Sequence, residues 1–301
     1  AIGSRDTPGS IFKMVTATAG LLHGQLTLTE TISDLGKFTL YDKTNPPRCW
    51  LNQKLLFKHA DLTVVEGLTY SCNYFFYTIG HDLGIDTLGE YAHALGLGVS
   101  TGIELVETTG NMSNAANHMD YAGSEWRIGD TLQAAIGQSD SVFTPLQLAE
   151  YCAAVANNGE RHSASILKSI RNYDYSEKVY ERQDEVLSTV ESPQYNWDAI
   201  HEGMKEVINS PLNETNYLNF YDCAVTVAGK TGTAQKGEGI KNDGLFICYA
   251  PYEDPEIAVA VVVERGHAGA SVGFIARQIV DVYLNIRSYS NTSESEMSLL
   301  K

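Results

Sequence analysis

Three short patterns set hydroxyl, amine and amide side chains in one order along the chain. The first is Ser10-Ile11-Phe12-Lys13, directly after the Pro8-Gly9 turn. The second is Ser71-Cys72-Asn73, at the head of an apolar stretch, and the third is Lys230-Thr231-Gly232-Thr233, at the end of a strand-like run. A serine hydroxyl is a weak nucleophile until a neighbouring base takes its proton. Residues three apart share a helix face, so Lys13 stands on the side of Ser10. A lysine acts as a base only when neutral, and burial or a second cation such as Lys230 lowers its pKa. Each pattern alone has a plainer reading. Ser10 fits a helix cap beside a surface lysine, Ser71 fits a cap on the following helix, and Lys230 fits a strand-end cation. Together and in this order they point to nucleophilic catalysis by a serine.

Positioning these residues falls to recognisable elements. The sequence predicts a buried helix from Ser10 to about His23, with Phe12, Met14, Val15, Ala19, Leu21 and Leu22 inward. TLTETISD reads as strand or turn, and YDKTNPPRCWLNQ as a proline-rich loop. Two helices follow in HADLTVVEGLTYSCNYFFYTIGHDLG, and a further one in IDTLGEYAHALGLG. VSTGIELVE looks extended. GQSDS, residues 137 to 141, reads as a structural loop ahead of a helix opened by Pro145 and ended before Asn158-Gly159. ASILKSIRNYDY and EKVYERQ suggest a hairpin, and WDAIHEGMKEVINS an amphipathic helix. CAVTVAGKTGTAQ, GLFICYAPY and EIAVAVVVERG read as three strands of an antiparallel meander. SVGFIARQIVDVYLNI closes the chain as a helix, followed by a polar tail expected to fray. The fold class expected is α+β, an antiparallel sheet flanked by helices with a helical subdomain.

Composition narrows the functions. The 301 residues are 43% hydrophobic and 10% aromatic, an ordinary globular balance, and the net charge is −16. That charge repels phosphate backbones, which argues against nucleic-acid binding and against a polybasic membrane-surface module. No apolar run approaches the roughly 20 residues that span a bilayer. Cys49, Cys72, Cys152, Cys223 and Cys248 are far apart with no C-x-x-C pair, so no metal or redox motif is suggested, and they read as small buried residues. A pairing of Cys49 is left open. The eight histidines show no ligand spacing, and His267 reads as structural or solvent-facing. No metal and no cofactor is expected.

The chain resembles the transpeptidase domain of penicillin-binding proteins, with which S-x-x-K, S-x-N and K-T-G are associated. The resemblance covers nearly all of it, through PGSIFK, LTYSCNYFFYTIGHDLGI, LGLGVSTGIEL, AIGQSDSVFTPLQLAEYCAAVANNG, HEGMKEVI, GKTGTAQ and APYEDPEIAVAVVVE. Among subclasses it is most similar to the monofunctional class B enzymes of the elongation type. The resemblance implies that Ser10 attacks the D-Ala-D-Ala bond of a peptidoglycan stem peptide, D-Ala leaves, and an amine of a neighbouring stem peptide resolves the acyl-enzyme into a cross-link. β-Lactams would trap Ser10. Lys13 would be the base and Ser71 the proton relay to the leaving amine. Asn73 would hold the substrate amide, and Lys230, Thr231 and Thr233 the terminal carboxylate, with Gly232 letting the peptide lie on the strand edge. The backbone N–H groups of Ser10 and Thr233 would form an oxyanion hole. Implied partners are a glycosyltransferase and membrane scaffold proteins, at the outer face of the bacterial cytoplasmic membrane.

Against that family pattern, Ser10 stands very near the first residue. The expectation is a chain lacking the first strands of the central sheet, the pedestal domain and the membrane anchor, with three sheet strands where the family has five. The uncovered edge of EIAVAVVVE would then be an aggregation liability. Other outcomes of the same motifs stay open: a serine β-lactamase, a β-lactam sensor domain, or an inactive binding fragment.

Overall fold

The computed structural model describes residues 1–292 apart from Leu56 and Glu238. The polar tail expected to fray lies largely outside these residues. A 3-10 turn, Gly9–Phe12, leads into helix α1, Lys13–Leu22, whose first eight residues are all buried, because small and β-branched side chains surround it on every side. Strand β1, Ile32–Ser33, pairs with β2, Asp61–Leu62. Helix α2, Trp50–Leu55, lies between them, where a proline-rich loop was expected; Pro46-Pro47 end the loop just before it. Helix α3, Val64–Thr69, is capped by a reciprocal Thr63–Glu66 box.

Helix α4, Asn73–Ala94, joins the two helices that the sequence separates; the break between them survives at Gly84, at φ 77° and ψ 168°. Helices α5, Ala115–Ala122, and α6, Ile128–Ala135, lead to α7, Pro145–Ala156, with Thr144 as its cap. The stretch VSTGIELVE forms no strand. Side chains take up part of its backbone instead: Glu107 accepts from the Thr101 N–H, and the Val99 carbonyl accepts from Gln147 Nε2. Two small antiparallel pairs project beyond α7: β3, Glu160–His162, with β6, Val186–Thr189, and the expected hairpin of β4, Ser169–Arg171, with β5, Lys178–Glu181.

Helices α8, Gln194–Asn209, and α9, Glu214–Phe220, precede the main sheet. This is the antiparallel meander β7, Ala228–Ala234, β8, Asp243–Ala250, and β9, Ile257–Val263. Every residue of β8 is buried. Alternate side chains serve two cores, as the two-residue period of a strand requires. Leu245, Ile247 and Tyr249 join α1, α7 and α8, whereas Phe246, Cys248 and Ala250 join Val272, just before α10, Gly273–Thr292, and Ala276 and Val280 within it. Among the described residues β9 pairs with β8 alone, so the three expected strands are the three observed.

Candidate active site and a neighbouring thiol cluster

The three motifs converge on one cleft of about 430 Å³, lined among others by Ser10, Ser71, Asn73, Lys230, Thr231 and Thr233. Close backbone approach makes the convergence possible. A Cβ on Gly9, which sits at φ +55°, would come within 2.6 Å of Thr233 O and 2.9 Å of Thr233 N. Only glycine lets the nucleophile turn rest against β7. Gly232 has a comparable reason. Its Cβ would meet Pro8 O at 2.5 Å and the Ile11 side chain, so its bareness admits the nucleophile turn.

Lys13 is fully buried on α1. Its Nζ donates to Ser71 O at 2.8 Å, Ser71 Oγ at 3.1 Å and Asn73 Oδ1 at 2.7 Å. Lys230 is also fully buried and donates to Ser71 Oγ at 3.0 Å. Ser71 is held at φ 52° between α3 and α4, which turns its hydroxyl toward both amines. Burial pushes the Lys13 ammonium down to about 8. Burial and the nearby Lys13 charge push Lys230 well below the usual lysine range. Roughly one Lys13 in ten is then neutral at pH 7. A hydroxyl oxygen has two acceptor lone pairs and one proton. With both lone pairs of Ser71 Oγ facing lysines, its proton is left to point away from them.

GQSDS contributes more than a structural loop. Gly9 N donates to Gly137 O at 2.8 Å, and Gln138 Nε2 donates to Thr233 O at 2.9 Å from the wall of the cleft. This short loop therefore ties the nucleophile turn to the strand that bears Lys230. Trp50 of α2 also lines the cleft. The motifs of the sequence do not reveal either residue, and the neighbourhood of Pro46-Pro47 hides the second.

Behind the cleft lies a feature absent from the sequence reading. Asp34, Cys49, His59 and Cys72 bring one donor atom each to within 4.8 Å of one another. The β1–β2 ladder sets Asp34 beside His59, Cys49 N is tied to Gly36 O at 3.0 Å, and Cys72 follows α3. Cys49 Sγ is 3.7 Å from Cys72 Sγ and 3.5 Å from His59 Nδ1. Cys72 Sγ is 3.5 Å from Asp34 Oδ2, which is 2.9 Å from His59 Nδ1. Cys49 and Cys72, which the sequence presents as scattered small buried residues, are thus joined to two further donor side chains in space. Ligands separated by 15, 10 and 13 residues form no local pattern, and tertiary folding alone joins them.

The donor set fits an ion of the zinc class. Tetrahedral bonds of about 2.3 Å to sulfur and about 2.0–2.1 Å to nitrogen or oxygen place two sulfurs about 3.8 Å apart, and sulfur about 3.6 Å from nitrogen or oxygen. Three of the four measured separations match within about 0.1 Å; the Asp34–His59 hydrogen bond would open to about 3.4 Å. Two thiolates and an imidazole select a soft or borderline metal. Asp34 Oδ2, Cys49 Sγ, His59 Nδ1 and Cys72 Sγ would hold it. Four protein ligands make such a site structural, bracing the segment that carries Ser71 and Asn73.

Comparison with known proteins adds the following. A family model described as the penicillin binding protein transpeptidase domain matches residues 1–281. The peptidoglycan D,D-transpeptidase MrdA of Haemophilus influenzae is 31% identical over 299 residues, covering 93% of this chain and 44% of its own length. The penicillin-binding protein PBP2 of Helicobacter pylori, solved in complex with MreC, superposes with a TM-score of 0.80 at 25% identity, over 94% of this chain and 50% of that one. The imipenem acyl-enzyme of penicillin-binding protein A from M. tuberculosis gives 0.80 at 26% identity, over 94% and 61%. This chain thus spans less than half the length of the curated MrdA relative.

Proposed function

We propose that this chain, which belongs to the penicillin-binding protein transpeptidase family, carries the acyl-transfer site of a peptidoglycan D,D-transpeptidase. The carrying observation is Ser71 Oγ accepting from two fully buried lysines beside the Ser10 turn. Neutral Lys13 takes the Ser10 proton as Ser10 Oγ attacks the penultimate D-Ala carbonyl of a stem peptide. The N–H groups of Ser10 and Thr233 stabilise the oxyanion, an interaction worth about 10²–10³ in rate per donor. The proton passes through Ser71, whose own hydrogen faces the cleft, to the departing D-Ala amine. Asn73 and the Thr231–Thr233 edge hold the donor peptide extended, and Lys230 with Thr231 and Thr233 binds its terminal carboxylate. An amine of a second stem peptide then attacks the ester and regenerates Ser10.

The same reading makes Ser10 the site acylated by β-lactams, as penicillin-binding protein A is by imipenem. On this reading the protein works at the outer face of the cytoplasmic membrane, with a glycosyltransferase and a scaffold such as MreC as partners. No helix among the described residues is long and apolar enough to cross a membrane. The test is exchange on a synthetic stem peptide ending in D-Ala-D-Ala with a labelled D-amino acid as acceptor. Release of D-Ala with incorporation of the label supports the reading. Acylation by penicillin without any exchange would favour a sensor, and rapid hydrolysis of penicillin a β-lactamase.

A further inference from the structure

We propose that His118 is a positioning residue for acyl transfer: from helix α5 it grips the Asp140 carboxylate, which fixes the loop of residues 137 to 141 and with it the spacing of the two oxyanion donors, the N–H groups of Ser10 and Thr233. The inference deepens the transpeptidase reading and rests on it for the role of those two groups.

What the loop touches supplies the first argument. The two donors belong to separate elements, the nucleophile turn and β7, and the loop holds both. Gly137 O accepts from Gly9 N at 2.8 Å, one residue before Ser10, and Gln138 Nε2 donates to Thr233 O at 2.9 Å. A donor serves an oxyanion only within about 2.7–3.1 Å of it, so a shift of either attachment is felt in the rate. The loop does not hold this shape by itself. Ser139 sits at φ 64°, in the left-handed region that a side chain disfavours, so its surroundings must over-determine it. Just beyond it, two side-chain bonds hold Asp140. Asn111 Nδ2 donates to its carbonyl at 3.0 Å, and its carboxylate is bonded to His118 Nδ1.

The setting of His118 supplies the second. Helix α5 buries one residue, and it is this histidine, 4% exposed. A helix that needed only an anchor would bury an apolar side chain there. The ring packs edge-on against Trp126, with centroids 5.1 Å apart, and Trp126 Nε1 donates to Thr131 Oγ1 at 3.0 Å, which limits rotation of the imidazole. Its Nε2 faces Asp130 Oδ2 at 3.7 Å and Ser124 Oγ at 3.3 Å. Asp130 stands in the first turn of α6, the helix that leads into the loop, and Asp140 stands in the loop itself. One imidazole therefore spans both ends of the segment 130–140, with a carboxylate at each ring nitrogen. A change at His118 reaches both loop attachments together, whereas a change at Gln138 reaches one.

The experiment is stopped-flow acylation of the full chain by a fluorescent penicillin over a range of concentrations. It separates the dissociation constant of the first complex from the acylation rate constant at saturation. A boronic acid, whose adduct on Ser10 directs an oxygen between the two N–H groups, reports on the oxyanion site independently. For His118→Ala the acylation rate constant should fall roughly ten- to a hundredfold, less than the cost of about 10²–10³ for a donor removed outright. The dissociation constant of the penicillin should stay within about threefold, and boronate affinity should fall in step with the rate constant. Asp140→Ala should show the same pattern, with the double variant no slower than either alone, because the two residues act as one unit. A lower amplitude of acylation at an unchanged rate constant marks a purely structural role and overturns the proposal, as do two losses that multiply in the double variant. Where His118→Ala does not fold, Asp140→Ala decides alone, on its rate constant and boronate affinity. Variants acylated as fast as the native chain refute this inference and leave the transpeptidase reading standing, whereas a native chain that is never acylated refutes both.

Discussion

Residues 71 to 73 belong to two sites at once. Ser71 and Asn73 turn their oxygens to the lysines of the cleft, while Cys72, between them, turns its sulfur to Cys49 and Asp34. Both sites gather ionisable groups from distant parts of the chain into a buried place, and they do it to opposite ends. In the cleft, burial is left uncompensated: Lys13 and Lys230 have hydroxyl and carbonyl acceptors but no carboxylate, so their charges are costly and their amines basic in the useful sense. In the cluster, acidic donors sit beside an imidazole at the spacing of a metal shell, so the cost of burial is met by mutual partners or by an ion. The same low dielectric prepares one site for reaction and gives the other its rigidity.

Removing one group from each site tests this contrast. Lys13→Ala takes away the base and should slow penicillin acylation by about 10²–10⁴-fold, measured by stopped-flow with a fluorescent penicillin; a loss under tenfold would mean that the base is elsewhere. The pH profile sharpens the same point. The reactive form of Lys13 is neutral, so the rate should climb about tenfold per pH unit and level off above about pH 8. A climb continuing toward pH 10 would mean that burial does not depress this lysine. The linked effect on stability has the same sign. Between about pH 8 and the ordinary lysine value of 10.5, the unfolded chain binds the proton and the folded chain does not, so Lys13 makes the fold more stable as pH rises.

The cluster should answer in melting temperature more than in rate. Taking zinc from the loaded protein with a chelator should lower Tm by about 5–10 °C, with a change in acylation of less than about tenfold. An unchanged Tm would show that the four donors hold no ion. The smallest effect belongs to Gln138, whose amide steadies Thr233 from across the cleft. Gln138→Ala gives up about one hydrogen bond, so acylation should fall about three- to tenfold, read in the same stopped-flow assay.

How much of this was legible depends on whether a feature is local. Ser10 with Lys13, Ser71 with Asn73, and Lys230 with Thr231 and Thr233 are each held by one turn, cap or strand, so short spacing reveals them. The β7–β9 meander is legible for the same reason, through β-branched runs bounded by turns. Asp34, Cys49, His59 and Cys72 lie on a two-strand ladder, a short helix and two loops, and no period in the chain connects them. A second reason for Gly232 is not legible in the sequence, because the Pro8 and Ile11 atoms that its missing side chain admits come from a distant turn. Gln138 was passed over because a Gly-Gln-Ser-Asp-Ser loop carries no sign of the strand that it will reach.

The most direct measurement of the central claim is the intact mass of the chain after mixing with benzylpenicillin, followed over hours beside Ser10→Ala. The account predicts an adduct of one penicillin per chain that persists, maps to Ser10 and is missing from the variant. An adduct on the variant, or none on the native chain, would contradict the assignment of Ser10 and of the site assembled around it.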